Sequence, residues 1–288
     1  MKILVSYRGI PQSPGWATGD SVVRAFEALG HEVYTWGHYY EDQKNKLPNQ
    51  GTWEEYDLLV YMEMNDGDPQ YTVLKNIPAK KKVAWMFDVA MNPMFYKSIC
   101  DYMEFDHVFC GNTNSLDLFD QPTSFLPYAA DLDLHYRHPV KAKKNVATLV
   151  GSDRQSRRDL IDFIQGEDVP AQLVTDVFRD EYIKTLSESM ISICDVAGGG
   201  HGLMPMRFFE APAAGSLLIC QLDSNDDRDQ ILKEGQHYFG FYNTEDLPGL
   251  LDFLMHDVDA REKVWLDGHN EVLRNHTYRE RCMEILKV

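Results

Sequence analysis

The sequence predicts an α/β protein of two tandem domains, each a parallel sheet covered by helices, with the carboxyl ends of both sheets facing a cleft. Three observations carry that prediction. Short, nearly continuous apolar runs alternate with helical patterns along most of the chain, as strands buried on both faces require. The order strand, glycine-bearing loop, helix, strand occurs from Lys2 to Trp36 and again from Met190 to Cys220. Between these repeats, from Ala129 to Asn145, the chain turns polar, contains Pro139 and loses any helical period, which marks a linker.

In the first domain, residues 1–130, Lys2 to Tyr7 reads as a strand and Arg8 to Gly19 as a loop holding Gly9, Gly15 and Gly19. Asp20 and Ser21 are placed to cap a helix from Val22 to Leu29; Gly30 stops it, and His31 to Trp36 is the next strand. The loop lacks G-x-G-x-x-G, which removes the main support for a nicotinamide or flavin site. A long open loop after a first strand is nevertheless where such sheets hold ligands, which makes Gly15 a candidate for substrate contact. Tyr39 to Trp53 reads as an exposed connection, and Tyr56 to Met64, Lys82 to Val89, His107 to Gly111 and Ser124 to Tyr128 as strands. Asp88, at the carboxyl end of its strand, either acts on an acceptor hydroxyl or caps the turn before Asn92-Pro93.

A linker over 131–145 leads to a second domain, 146–274. Its strand Val146 to Val150 is followed by a polar loop, Ser152 to Ser156, and a helix from Arg157 to Ile164. Gln172 to Val177 is a strand and Arg179 to Ser187 a helix; Asp246 to Met255 and Ala260 to Arg274 are helices by apolar spacing. Residues 275–288 form a closing helix expected to pack back on the first domain.

The chain has 288 residues and a net charge of −17, which disfavours a large polyanion as the main partner. Against that balance, Lys141, Lys143, Lys144, Arg154, Arg157 and Arg158 form a local basic excess interrupted only by Asp153. Such a corner either neutralises a phosphate or is a solvated linker face. Five scattered cysteines in apolar runs read as reduced core thiols and give no metal-binding spacing. Asp226 and Asp227 read as a helix start rather than a metal site. There is no apolar run of membrane-spanning length and no signal-peptide pattern, so a cytoplasmic protein is expected.

The densest chemistry lies between Ile193 and Gln221. Gly198, Gly199, Gly200 and Gly202 permit close approach of backbone N–H groups to a ligand, and the helix expected from Arg207 to Ala214 brings Arg207 and Glu210 onto one face. A guanidinium suits a diphosphate and a carboxylate suits ribose hydroxyls. A plain strand-to-helix connection with a surface ion pair accounts for the same residues.

V-G-S-D-R-Q-S-R-R (150–158), R-F-F-E-A-P-A-A-G (207–215) and H-T-Y-R-E-R (276–281) resemble the group 1 glycosyltransferases of the GT-B fold, in particular the CgeB-like, spore-maturation branch. W-M-F-D (85–88), F-L-P-Y-A-A-D (125–131) and the helix pair begun at Leu247 are similar to that group as well. The resemblance implies two Rossmann-like domains, a nucleotide-diphosphate sugar held by the second and an acceptor by the first. In the family a Glu-x7-Glu pair holds donor sugar and ribose. Glu210 matches the second member; the first falls on Gly202, and His201 is the nearest side chain able to substitute. Arg154, Arg157 and Arg158 fall where the family places diphosphate-binding residues.

The resulting expectation is transfer of a sugar to an acceptor hydroxyl, with no metal and no cofactor beyond the donor, and with retention of configuration; Asp88 as a base would allow inversion instead. Asp88, His201 and Arg207 are the candidate catalytic residues. Gly15, Ser152, Arg154, Arg157, Arg158, Gly199, Gly200, Gly202 and Glu210 are the candidate substrate contacts. The acceptor is a saccharide, protein or small molecule in preference to modified DNA. A sugar-nucleotide epimerase and a non-catalytic nucleotide-sugar-binding protein are the alternatives on the same scaffold.

Overall fold

The computed structural model describes residues 1–9, 16–37, 55–62, 70–135, 143–195, 204–222 and 228–288. The chain divides into two compact units, Met1–Pro127 with Tyr278–Val288, and Tyr128–Thr277.

The first unit runs β1 (Lys2–Ser6), α1 (Thr18–Ala28), β2 (Glu32–Trp36), β3 (Leu58–Met62), α2 (Gln70–Lys75), β4 (Lys82–Met86), α3 (Pro93–Met103), β5 (His107–Cys110) and β6 (Thr123–Phe125). Its described strands form one sheet in the order β2-β1-β3-β4-β5-β6, parallel throughout. Leu4, Leu59, Val60, Val83 and Ala84 are fully buried, which is why these strands read as unbroken apolar runs rather than alternating ones.

Helix α1 begins at Thr18, earlier than the expected Val22. Asp20 is therefore inside the first turn, where its carboxylate accepts from the Ala17 N–H at 2.9 Å and from the Tyr7 hydroxyl at 2.5 Å. It reaches back to the residue before the helix, the second half of a capping box, instead of capping from outside. Gly19 fits that turn because the Tyr7 ring lies over it; a Cβ there would stand 1.9 Å from the ring. Helix α3 had no counterpart among the expected elements. It starts on Pro93, whose fixed φ suits a first helical position, and buries Tyr96, Ile99, Cys100 and Met103.

The second unit runs α4 (Leu132–His135), β7 (Lys144–Val150), α5 (Gln155–Gly166), β8 (Ala171–Val174), α6 (Arg179–Glu188), β9 (Ser189–Cys194), α7 (Arg207–Ala213), β10 (Leu217–Gln221), β11 (Phe239–Phe241), α8 (Leu247–His256) and α9 (Val258–Asn275). Its sheet, again parallel, has the order β11-β10-β9-β7-β8 among the described residues. From β7 the chain steps outward to β8, then crosses to the opposite side of β7 for β9. The direction of winding therefore reverses between β7 and β9, and at such a point the crevice beyond the carboxyl ends of the strands takes ligands.

The lysines at the start of β7 have structural roles. Lys143 Nζ donates to the carbonyls of Ser187 at 2.9 Å, Ser189 at 3.1 Å and Gly215, satisfying chain ends around α6 and α7. Lys144 pairs with Glu188 at 2.6 Å on the surface. Lys141, Asp226 and Asp227 lie outside the described residues.

The last helix, α10 (Tyr278–Ile285), belongs to the first unit. There the Tyr278 ring meets Trp85 edge-on at 6.2 Å, and Arg281 Nε donates to the Pro127 carbonyl at 3.0 Å. All five cysteines are buried, and none of them is in a disulfide. No helix among the described residues is long and apolar enough to cross a membrane.

Candidate active site

Gly151 directly follows β7 and Asp195 directly follows β9, so both stand at the carboxyl ends of the strands that flank the reversal. Asp195 is buried, and its carboxylate is the centre of a cluster. Arg157, from the first turn of α5, grips it through two parallel bonds, Nε to Oδ2 at 2.8 Å and Nη2 to Oδ1 at 3.0 Å. The third nitrogen of Arg157, Nη1, donates to the Ser152 carbonyl at 2.9 Å and hydroxyl at 3.0 Å. Arg207, the first residue of α7, donates from Nη2 to Asp195 Oδ1 at 2.8 Å.

The bare Cα of Gly151 makes room for both cations. A Cβ there would lie 2.6 Å from Arg157 Nη1 and 3.0 Å from Arg207 Nη1. Two guanidinium groups thus share one carboxylate, and the hydrogen-bonded set carries one positive charge in excess. The two arginines differ in what they have left to give. Arg157 is buried and has all three nitrogens engaged. The Arg207 side chain keeps 15 % of its surface exposed, and its buried Nε has no hydrogen-bond partner among the described residues. Desolvation disfavours charge on Arg207, but the acidic groups around it, the Asp195 and Glu210 carboxylates among them, outweigh it, so its pKa lies above even the ordinary arginine value.

Glu210, one turn further along α7, is buried by a second set of groups. The Tyr182 hydroxyl of α6 donates to Oε2 at 2.5 Å, and His135 Nε2 of α4 lies 3.3 Å from Oε1. His135 Nδ1 accepts the backbone N–H of Asp131 at 2.9 Å. A neutral imidazole holding that acceptor role must carry its proton on Nε2, directed at Glu210. Burial first, then the charge of Glu210, pushes the Tyr182 pKa well up, so its hydroxyl stays a donor.

The remaining expected site residues fall into three groups. Arg154 is exposed at the cap of α5, where its carbonyl accepts the N–H groups of Arg157 and Arg158 at 3.1 and 3.2 Å. Arg158 is exposed and turned to Asp153, with Nε to Oδ1 at 2.6 Å and a second contact between Nη2 and Oδ2. Ser152 is exposed and contributes through Arg157. Asp88 belongs to the first unit, partly buried, one residue beyond Phe87 at the carboxyl end of β4; its carbonyl accepts the Met91 N–H at 2.9 Å. Gly15, Gly199, Gly200, His201 and Gly202 lie outside the described residues.

Sequence reasoning passed over Asp195, His135 and Tyr182. Asp195 had a signal, since it ends an apolar strand as Asp88 does. His135 lies in the stretch read as linker, and Tyr182 is one of several apolar positions on an amphipathic helix; neither carries a local mark.

Residues 138–287, more than half of the chain, match the family described as glycosyl transferase-like. The chain belongs to that family. Solved structures share its fold over the full length: a sucrose-phosphate synthase from Thermosynechococcus elongatus (TM-score 0.68, 11% identity, 99% of this chain and 97% of that chain). Another is Anabaena Alr3699/HepE in complex with UDP and glucose (TM-score 0.67, 12% identity, 100% and 98%). A third is an alpha-glucosyltransferase in complex with UDP and a mismatched 13-mer DNA (TM-score 0.69, 13% identity, 99% and 98%). These likenesses identify two Rossmann-like domains of the GT-B type. No curated protein matches the sequence.

Proposed function

We propose that the protein transfers a sugar from a nucleoside-diphosphate sugar to an acceptor hydroxyl, with the donor on the second unit. One observation supports this most: Arg207, backed by Arg157 and Asp195, keeps a partly exposed side chain at the winding reversal of the second sheet, and its buried Nε has no hydrogen-bond partner among the described residues. When the bond between the anomeric carbon and the diphosphate breaks, negative charge grows on the departing phosphate oxygen. A pre-oriented guanidinium meets that charge without reorganising. Such a cation fills the role a divalent metal would otherwise serve, and the proposed transfer is accordingly metal-independent.

Glu210 is the ribose contact in this reading, and Asp88 of the first unit the group offered to an acceptor hydroxyl. Retention of configuration, implied by the resemblance, is part of the proposal, as are the CgeB-like branch and a cytoplasmic location. Two of the similar structures were solved with UDP, which makes uridine-based donors the first to test.

The test is a mass-spectrometric panel of uridine, guanosine, adenosine, thymidine and cytidine diphosphate sugars. One donor is expected to be consumed with release of its nucleoside diphosphate. In Glu210→Ala, kcat/KM for it should fall tenfold or more, since each tenfold corresponds to about 1.4 kcal/mol of lost transition-state binding. Failure of every donor to bind or turn over contradicts the proposal. The anomeric coupling of the product by NMR decides between retention and inversion.

A further inference from the structure

Glu210 is held on both sides by residues that no motif singles out. Among the described residues each of its carboxylate oxygens faces one group: Oε2 accepts from the Tyr182 hydroxyl at 2.5 Å, and Oε1 lies 3.3 Å from His135 Nε2. A carboxylate oxygen accepts about two hydrogen bonds, so each retains one further position with respect to the described residues, the complement of two neighbouring hydroxyl donors. The restraint is itself restrained: His135 cannot turn without releasing the Asp131 N–H from Nδ1, and all three side chains are buried.

We infer that His135 and Tyr182 are positioning residues that fix the Glu210 carboxylate in the orientation that meets a ribose diol, and so set a preference for ribonucleotide over deoxyribonucleotide donors. The inference rests on the reading of Glu210 as the ribose contact. Tyr182 acts through its hydroxyl and His135 through its Nε2–H, so each can be removed with little change in shape.

The test compares calorimetric affinities of UDP, GDP, ADP and CDP with those of their 2′-deoxy counterparts, on the full chain. Wild type is expected to favour the ribo form of its tightest nucleotide by about tenfold or more, the scale of one hydrogen bond to a charged group. In Tyr182→Phe and His135→Met that ratio should collapse toward unity. In His135→Gln, whose amide nitrogen can stand where Nε2 stood, it should largely return. A purely structural role would lower melting temperature and weaken both forms alike without moving the ratio.

An unchanged ratio in Tyr182→Phe and His135→Met, with loss of the ratio in Glu210→Gln, overturns the inference while leaving Glu210 at the ribose. A ratio insensitive to Glu210→Gln, no ribo preference in wild type, or no binding of any of the four diphosphates overturns the inference together with the reading beneath it.

Discussion

Asp195→Ala is expected to destabilise the second unit by about 3–5 kcal/mol, the cost of removing one partner from a buried, hydrogen-bonded ion cluster. The carboxylate accepts the paired bonds of Arg157 and one bond of Arg207, and nothing else within hydrogen-bond reach of the described residues carries the negative charge that offsets them. Without it, a buried guanidinium at Arg157 keeps only its Ser152 acceptors. Against a typical total stability of about 5–15 kcal/mol this is a large share. The melting temperature should fall by roughly 10 °C for a unit of this size. Asp195→Asn, which keeps shape and one acceptor oxygen, should fall between. Thermal and urea denaturation followed by circular dichroism measure both, and a loss below about 1 kcal/mol, the scale of exposed pairs, would show that the cluster is solvated.

Arg207→Ala is expected to lower kcat/KM for the donor by about 10²–10³, the range found when one pre-oriented donor to a developing oxyanion is removed. Its effect on folding should be small beside that of Asp195→Ala, because Arg157 remains paired with the carboxylate. Arg207→Lys should recover little: an ammonium cannot hold Asp195 and present a second N–H in the same plane. Arg158→Ala is the control, since that side chain is exposed and committed to Asp153, and it should keep wild-type turnover. Steady-state kinetics over the series checks the ordering; an Arg207→Ala enzyme as fast as wild type would make the arginine a structural member of the cluster.

Much of the fold was legible because parallel strands covered on both faces write themselves as short apolar runs, and β1, β3, β4 and β10 all do. The start of α1 was misplaced because Asp20 reads equally as a cap or as a reach-back residue, and only the Tyr7 ring over Gly19 decides between them. Helix α3 did announce itself, through Pro93 and the spacing of Tyr96, Ile99, Cys100 and Met103, but the turn signal of Asn92-Pro93 concealed it.

At the site, motif spacing brought Arg207 and Glu210 forward as a pair on one helix face. The structure gives each its own partners from distant sequence: Asp195 for one, Tyr182 and His135 for the other. Which of the three arginines after β7 turns inward was likewise not readable, since Arg154, Arg157 and Arg158 have the same chemistry. Their places on the first turn of α5 separate them: Arg157 is buried toward Asp195 while its neighbours face outward.

The central claim, that the second unit holds a diphosphate through Arg207 and its supporting cluster, is tested most directly by one calorimetric comparison. The nucleoside diphosphate that binds tightest is titrated beside its nucleoside, UDP beside uridine if UDP is the one. The diphosphate is predicted to bind about 100-fold tighter, as one or two charge-assisted hydrogen bonds would provide, with most of that gap lost in Arg207→Ala. Equal affinity for nucleoside and nucleoside diphosphate in the wild-type protein would contradict the account.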